Sequence, residues 1–217
     1  MKTGAPPLVW AMAGAFIAIE GVLTASDLGL APQGLRFAAY RAFAFFDIYF
    51  DAMLAGRAVP AQLWWSLVTH AFLHGGLLHL AMNTAVFLAL GAHLTRAVGE
   101  AGMLALFFGT AVAGALLFGL LADTGPSFVP MVGASGALFG FLGAMKRWEW
   151  RYLAAHDLPR RRFWSTVLAL TAVNVVLSLG FGDGGGVAWQ AHLGGVLAGW
   201  FAAPLMTPRR GMAIGPI

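Results

Sequence analysis

Six stretches of this chain run for about twenty residues with scarcely a charge, and that pattern constrains its fold more than any single motif. They cover about 8–23, 77–94, 101–122, 129–145, 163–181 and 187–206. A helix needs about 20 mostly apolar residues to cross a bilayer, and only a helix or a closed barrel satisfies its own backbone there. Of the 217 residues, 59% are apolar and 10% charged, where a soluble domain carries about 25% charged residues. With a mean hydropathy of +0.77, that balance excludes an ordinary soluble enzyme, a disordered chain and a nucleic-acid binder. The absence of cysteine excludes a disulfide scaffold, a thiol nucleophile and a Cys-ligated zinc site. The 29 glycines suit membrane helices that approach closely. The expected fold is an all-α membrane protein, a six-transmembrane-helix bundle. It reads as one domain over 1–217, with its core at about 8–206 and no soluble appendage.

Basic residues give the orientation. With the N-terminus inside, the inner regions hold Lys2, Arg96, Lys146, Arg147, Arg151, Arg160, Arg161, Arg162, Arg209 and Arg210, ten of the 13 basic residues. The outer side holds Arg36, Arg41 and Arg57. That asymmetry matches the positive-inside rule, and tryptophans such as Trp10, Trp64 and Trp189 fall near segment ends, as in an aromatic belt. Both termini are therefore expected in the cytoplasm of a multi-pass protein. The first stretch contains Glu20 and follows only Lys2, which argues against a cleaved leader, although Thr24-Ala25-Ser26 leaves a weak cleavage site open.

The long connection from 24 to 69 falls on the outer side. Phe37, Tyr40, Phe43, Phe45, Phe46, Tyr49 and Phe50 recur there at helical spacing among Arg36, Arg41, Asp47 and Asp51. This predicts a long amphipathic first outer loop lying in the interface.

Polar residues inside the spans are costly, so each is a candidate functional group. Three clusters stand out: His70, His74, His79 and Asn83; Gly133-Ala134-Ser135-Gly136; and Ala191-His192 with Gly194-Gly195. His79 and Asn83, four apart, share a helix face, as do Ser135 and Phe139. Gly136-x-x-x-Gly140 and Gly195-x-x-x-Gly199 are small-residue stripes that let helices meet backbone to backbone. If the stripes face each other, Ser135 and His192 meet near the outer ends of their helices. A serine beside a histidine is the minimum for an activated hydroxyl nucleophile, and His79 and Asn83 are donors suited to an oxyanion.

These residues resemble the rhomboid intramembrane serine proteases. The resemblance rests on His70, His74, His79 and Asn83, on Gly133-Ala134-Ser135-Gly136, and on His192 with Gly195 and Gly199, in the family's order. It implies a rhomboid-like domain in which Ser135 is the nucleophile and His192 the general base, a dyad without a carboxylate. His79, Asn83 and the Ser135 backbone N–H would form the oxyanion hole, Phe139 would lie beneath the histidine ring, and His70 and His74 would be structural or water-retaining. Gly133, Gly136, Gly195 and Gly199 would support the site. The implied substrates are transmembrane segments of other membrane proteins, cut near their outer ends. The implied setting is a bacterial inner membrane with the site open to the outer side. No cofactor, metal or nucleic acid is implied. Ser66, after Trp65, stands where many members have arginine, and Thr95 where many have glutamate.

Two other classes stay open: an inactive rhomboid-like protein that binds membrane clients, and a histidine-lined metal or proton transporter. Against the transporter, the spans offer almost no carboxylates, and spacings of four and then five do not keep His70, His74 and His79 on one face. Asn174 reads as an interhelical hydrogen bond. Glu20 reads as snorkelling or bonding to a neighbouring helix, and His93 and His156 as solvated.

Overall fold

A computed structural model describes residues 4–122, 129–180 and 188–208. Lys2, Arg209, Arg210 and the span ends at Phe181 and Val187 lie outside the described residues. Within them the chain is helical, with a single isolated antiparallel bridge between Phe45 and Met131. The long helices are α1 (Pro7–Asp27), α5 (Leu77–Leu121), α6 (Ser135–Ala155), α7 (Arg161–Gly180) and α8 (Trp189–Ala202). Three short ones, α2 (Leu35–Phe43), α3 (Asp47–Leu54) and α4 (Gln62–Thr69), fill the long connection.

Helix α1 starts on Pro6-Pro7, where proline's missing N–H costs nothing. The second and third stretches form one 45-residue element that reverses at Gly99, whose φ of 80° only glycine adopts readily. Its two arms, 77–98 and 100–121, return alongside each other, with Phe87 and Phe107 meeting edge to face at 5.7 Å. Those rings, with Phe16 of α1 and Phe141 of α6, are fully buried and form the centre of the largest core.

Among the described residues, two helices, α1 and α5, are long and apolar enough to cross a membrane. The rest show why a stretch and a helix differ. The fourth stretch was expected at 129–145, but α6 begins at Ser135 and continues ten residues past Met145, carrying Lys146, Arg147, Glu149 and Arg151. Its charges survive because Lys146 and Glu149 are buried as a pair at 2.6 Å, and an unpaired buried charge would be costly. Helix α8 has 14 residues and continues as a 3-10 turn through Leu205.

The aromatic connection folds as three short helices. It breaks between α2 and α3, and Phe45, Phe46 and Phe50 turn inward while Phe37 and Phe43 stay exposed. Phe45 packs on Phe50 and Phe118, and its backbone pairs with Met131. The segment is thereby fixed against the strand of chain that leads into α6.

Candidate active site

Ser135 is the first residue of α6, so its N–H is among the first-turn donors that have no partner within a helix. The chain reaches it through Gly133, with φ of 119°. A Cβ at Gly133 would lie 2.7 Å from Cε1 and Nε2 of His79, so only glycine lets this strand pass so near the imidazole. The Gly133 N–H donates to the His70 carbonyl at 2.9 Å, while Nδ1 of His70 faces the Ser66 carbonyl at 2.8 Å and must be the donor there. His70 therefore ties α4 to the approach to Ser135.

His192 comes from the first turn of α8. Helices α6 and α8 touch backbone to backbone: a Cβ on Gly195 would collide with the Gly136 carbonyl, and one on Gly199 with the Gly140 carbonyl. Gly194 is equally tight against the second arm of α5, its Cβ position 2.6 Å from the Ala113 carbonyl. With no side chains between the axes, Nε2 of His192 stands 2.7 Å from Oγ of Ser135. The Phe139 ring, one turn below Ser135, stacks on the imidazole at 4.2 Å and 12°. On its other side, Nδ1 of His192 meets Oδ1 of Asn174 at 2.6 Å. Asn174 does link two helices, as the sequence suggested, but its partner is the histidine beside the serine.

The expected oxyanion donors flank the same loop. The Gly75 N–H donates to Nδ1 of His79 at 3.1 Å, so that ring carries its proton on Nε2, the atom aimed at Gly133. Asn83 is buried, and Nδ2 donates one hydrogen to the His79 carbonyl at 3.0 Å. An amide nitrogen has a second for an incoming oxygen. His74 is fully buried, wedged between Phe16 at 5.5 Å and His79 at 5.3 Å.

What holds this corner was barely legible in the sequence. Of the two readings of Glu20, the bond to a neighbouring helix holds: it is fully buried and pairs with both terminal nitrogens of Arg36 of α2, at 2.8 and 3.1 Å. Arg36 also binds Asp27 at 2.6 Å and the His74 carbonyl at 3.0 Å, and the Tyr40 hydroxyl donates to that carbonyl at 2.7 Å. The Glu20 hydrogen bond raises the Arg36 guanidinium above its usual range, and burial raises the Tyr40 phenol. The only sequence signal was a glutamate in an apolar span with an arginine in the next connection.

The remaining expectations resolve locally. Thr95 donates to the Gly91 carbonyl of its own helix, and Ser66 to the Leu63 carbonyl. Trp65 reaches the Ala42 carbonyl at 2.7 Å. Nδ1 of His156 bonds the Tyr152 carbonyl at an exposed position. Among the described residues, no three His, Asp or Glu side chains are grouped to hold a metal ion. A cavity of about 710 Å³ opens between α6, α7 and α8, with Phe139, Asn174 and His192 at one end and Lys146 and Trp150 at the other.

The family model described as Rhomboid domain matches residues 61–209. Among individual proteins, rhomboid protease GluP of Bacillus subtilis is 32% identical over 157 residues, 70% of this chain and 28% of that protein. RHOMBOID-like protein 5 of Arabidopsis thaliana is 34% identical over 148 residues, 68% of this chain and 46% of that one. Rhomboid protein 1, mitochondrial, of Saccharomyces cerevisiae is 32% identical over 164 residues, 67% of this chain and 44% of that one. The chain thus spans less than half the length of each of these relatives.

Proposed function

The chain belongs to the rhomboid family, and from that premise we propose that it is an intramembrane serine endopeptidase with Ser135 as nucleophile and His192 as general base. The observation that carries this reading is the 2.7 Å contact between Ser135 Oγ and His192 Nε2, at the start of a helix and beside two side-chain donors. Ser135 attacks the scissile carbonyl as its proton passes to Nε2, and a tetrahedral intermediate forms. Its oxyanion takes hydrogen bonds from Nε2–H of His79, the Asn83 amide and the Ser135 N–H, all placed before charge develops. Collapse breaks the C–N bond, and His192 gives its proton to the leaving amine. Water, deprotonated by the same ring, then attacks the acyl ester and returns Ser135.

The substrate class is the transmembrane segment of another membrane protein. A helical peptide bond is shielded by its own hydrogen bonds, and it opens only where protein or water can take over its backbone groups. In this reading the six stretches span the bilayer, α1 through α8 without the short helices, with α5 crossing twice about Gly99. Ser135 and His192 both sit at helix starts, at the end of the bundle that carries α2, α3 and α4. The basic-residue count assigns that end to the outer side, with both termini cytoplasmic. The test is co-expression with a tagged single-pass substrate. Cleavage by the wild type and none by Ser135→Ala is expected, and equal cleavage by both would refute the assignment.

A further inference from the structure

We infer that Asn174 is a positioning residue for this reaction, an amide that fixes the tautomer and rotation of His192 from the opposite side to Ser135. The inference rests on the proteolytic reading and deepens it. An Asn oxygen only accepts hydrogen bonds. With Oδ1 at 2.6 Å from Nδ1, the imidazole proton lies on Nδ1 and the lone pair on Nε2, which is the atom 2.7 Å from the Ser135 hydroxyl. The opposite amide orientation would present N–H to Nδ1, place the ring proton on Nε2 and leave Ser135 without a base. A base at Nε2 therefore requires Asn174 to accept.

Phe139 cannot do this work. Its ring lies flat against the imidazole at 12°, which fixes the plane but distinguishes neither nitrogen nor one ring flip from the other. The α6–α8 seam fixes the Cα of His192, not its χ2. Asn174 supplies the missing constraint, and a neutral amide already serves a catalytic histidine this way in papain-like enzymes. Its setting supports the assignment. On α7 it lies among Val173, Val175 and Val176, all exposed on the helix surface, where an amide is expensive without a dedicated partner. Among the described residues, the titratable groups facing His192 are His79 from the first arm of α5 and, at the far end of the shared cavity, Lys146 from α6.

The alternative role is adhesive: an interhelical bond that holds α7 to α8. The two differ in what they change, and the test uses the full chain in proteoliposomes. A fluorophosphonate reports Ser135 reactivity and a tagged single-pass substrate reports turnover. Asn174→Ala should lower kcat and the labelling rate together by roughly 10²-fold, the lower end of what a positioned general base contributes, with KM within about twofold. Asn174→Asp should recover most of that loss. Its carboxylate stabilises the imidazolium, so the ring stays protonated to higher pH and the acid limb of the rate profile moves upward. Wild-type labelling of Asn174→Ala would overturn the inference. So would equal impairment of both variants with an unmoved profile, which is the adhesive outcome. If Asn174→Ala does not fold, the position of the acid limb in Asn174→Asp decides alone. Absence of labelling in the wild type itself would remove the proteolytic reading, whereas a reactive wild type with an indifferent Asn174→Ala removes only this inference.

Discussion

The two sides of His192 are built in opposite ways. Toward α6 and the second arm of α5, glycine backbones touch carbonyls and no side chain separates the helices. Toward α7 there is a cavity of about 710 Å³, and Leu168, Val173 and Val176 point away from the protein. Close packing makes the first side intolerant of one extra methyl group, while the second side can shift without breaking a core. The contrast places the close-packed half with Ser135, His79 and Asn83, the nucleophile and oxyanion donors of the proposed reaction. The half that can move holds one amide against the base.

The largest effect is expected at Arg36, which anchors the close-packed half through Glu20 and the His74 carbonyl. Arg36→Ala leaves Glu20 buried without its cation, and removing one partner of a buried pair costs about 3–5 kcal/mol. A loss in that range is expected in thermal unfolding. Glu20→Gln with Arg36→Met should recover much of it. An Arg36→Ala protein as stable as wild type would mean that the clamp does not hold this corner.

Asn83→Ala tests whether that rigidity serves the chemistry. Loss of one preorganised oxyanion donor typically lowers turnover by about 10²–10³-fold, roughly 2.7–4 kcal/mol. The defect should fall in kcat, since the oxyanion exists only near the transition state, and Ser135 should still react slowly with a phosphonate. A defect confined to KM would make Asn83 a packing residue. Smaller still is a single methyl group in the seam. Gly199→Ala drives a Cβ into the Gly140 carbonyl and should cost about 1–3 kcal/mol, whereas Val176→Ala on α7 should stay within about 0.5 kcal/mol. Equal melting temperatures for these two variants would erase the contrast between the sides.

Helical periodicity explains which of these features the sequence disclosed. Gly136, Gly140, Gly195 and Gly199 repeat every four residues, so each stripe declares a face, and two faces bare of side chains can meet closely. Ser135 and His192 sit at fixed offsets from those stripes, and Phe139 lies one turn on. Periodicity carries no information about contacts between a loop and a distant helix. The Glu20–Arg36 pair spans 16 residues and joins two elements of unrelated register, so Arg36 read only as a topology mark and Glu20 as a snorkelling or helix-bonding side chain with no named partner. Asn174 was visible as an isolated amide, but the sequence could not say which helix it faced. Hydropathy also misplaced the start of α6, because residues 129–134 are apolar yet lie outside the helix. Gly133 turns the chain there, and the helix starts at the serine.

If Ser135 and His192 act as one unit, as proposed, a double-mutant cycle on cleavage of a tagged transmembrane substrate in proteoliposomes will show it. Ser135→Ala and His192→Ala should each abolish cleavage, and the double variant should be no worse than either, because groups that act together do not lose rate independently. All three proteins should still insert and melt as folded species. Measurable residual rates in both single variants whose losses multiply in the double variant would contradict the account.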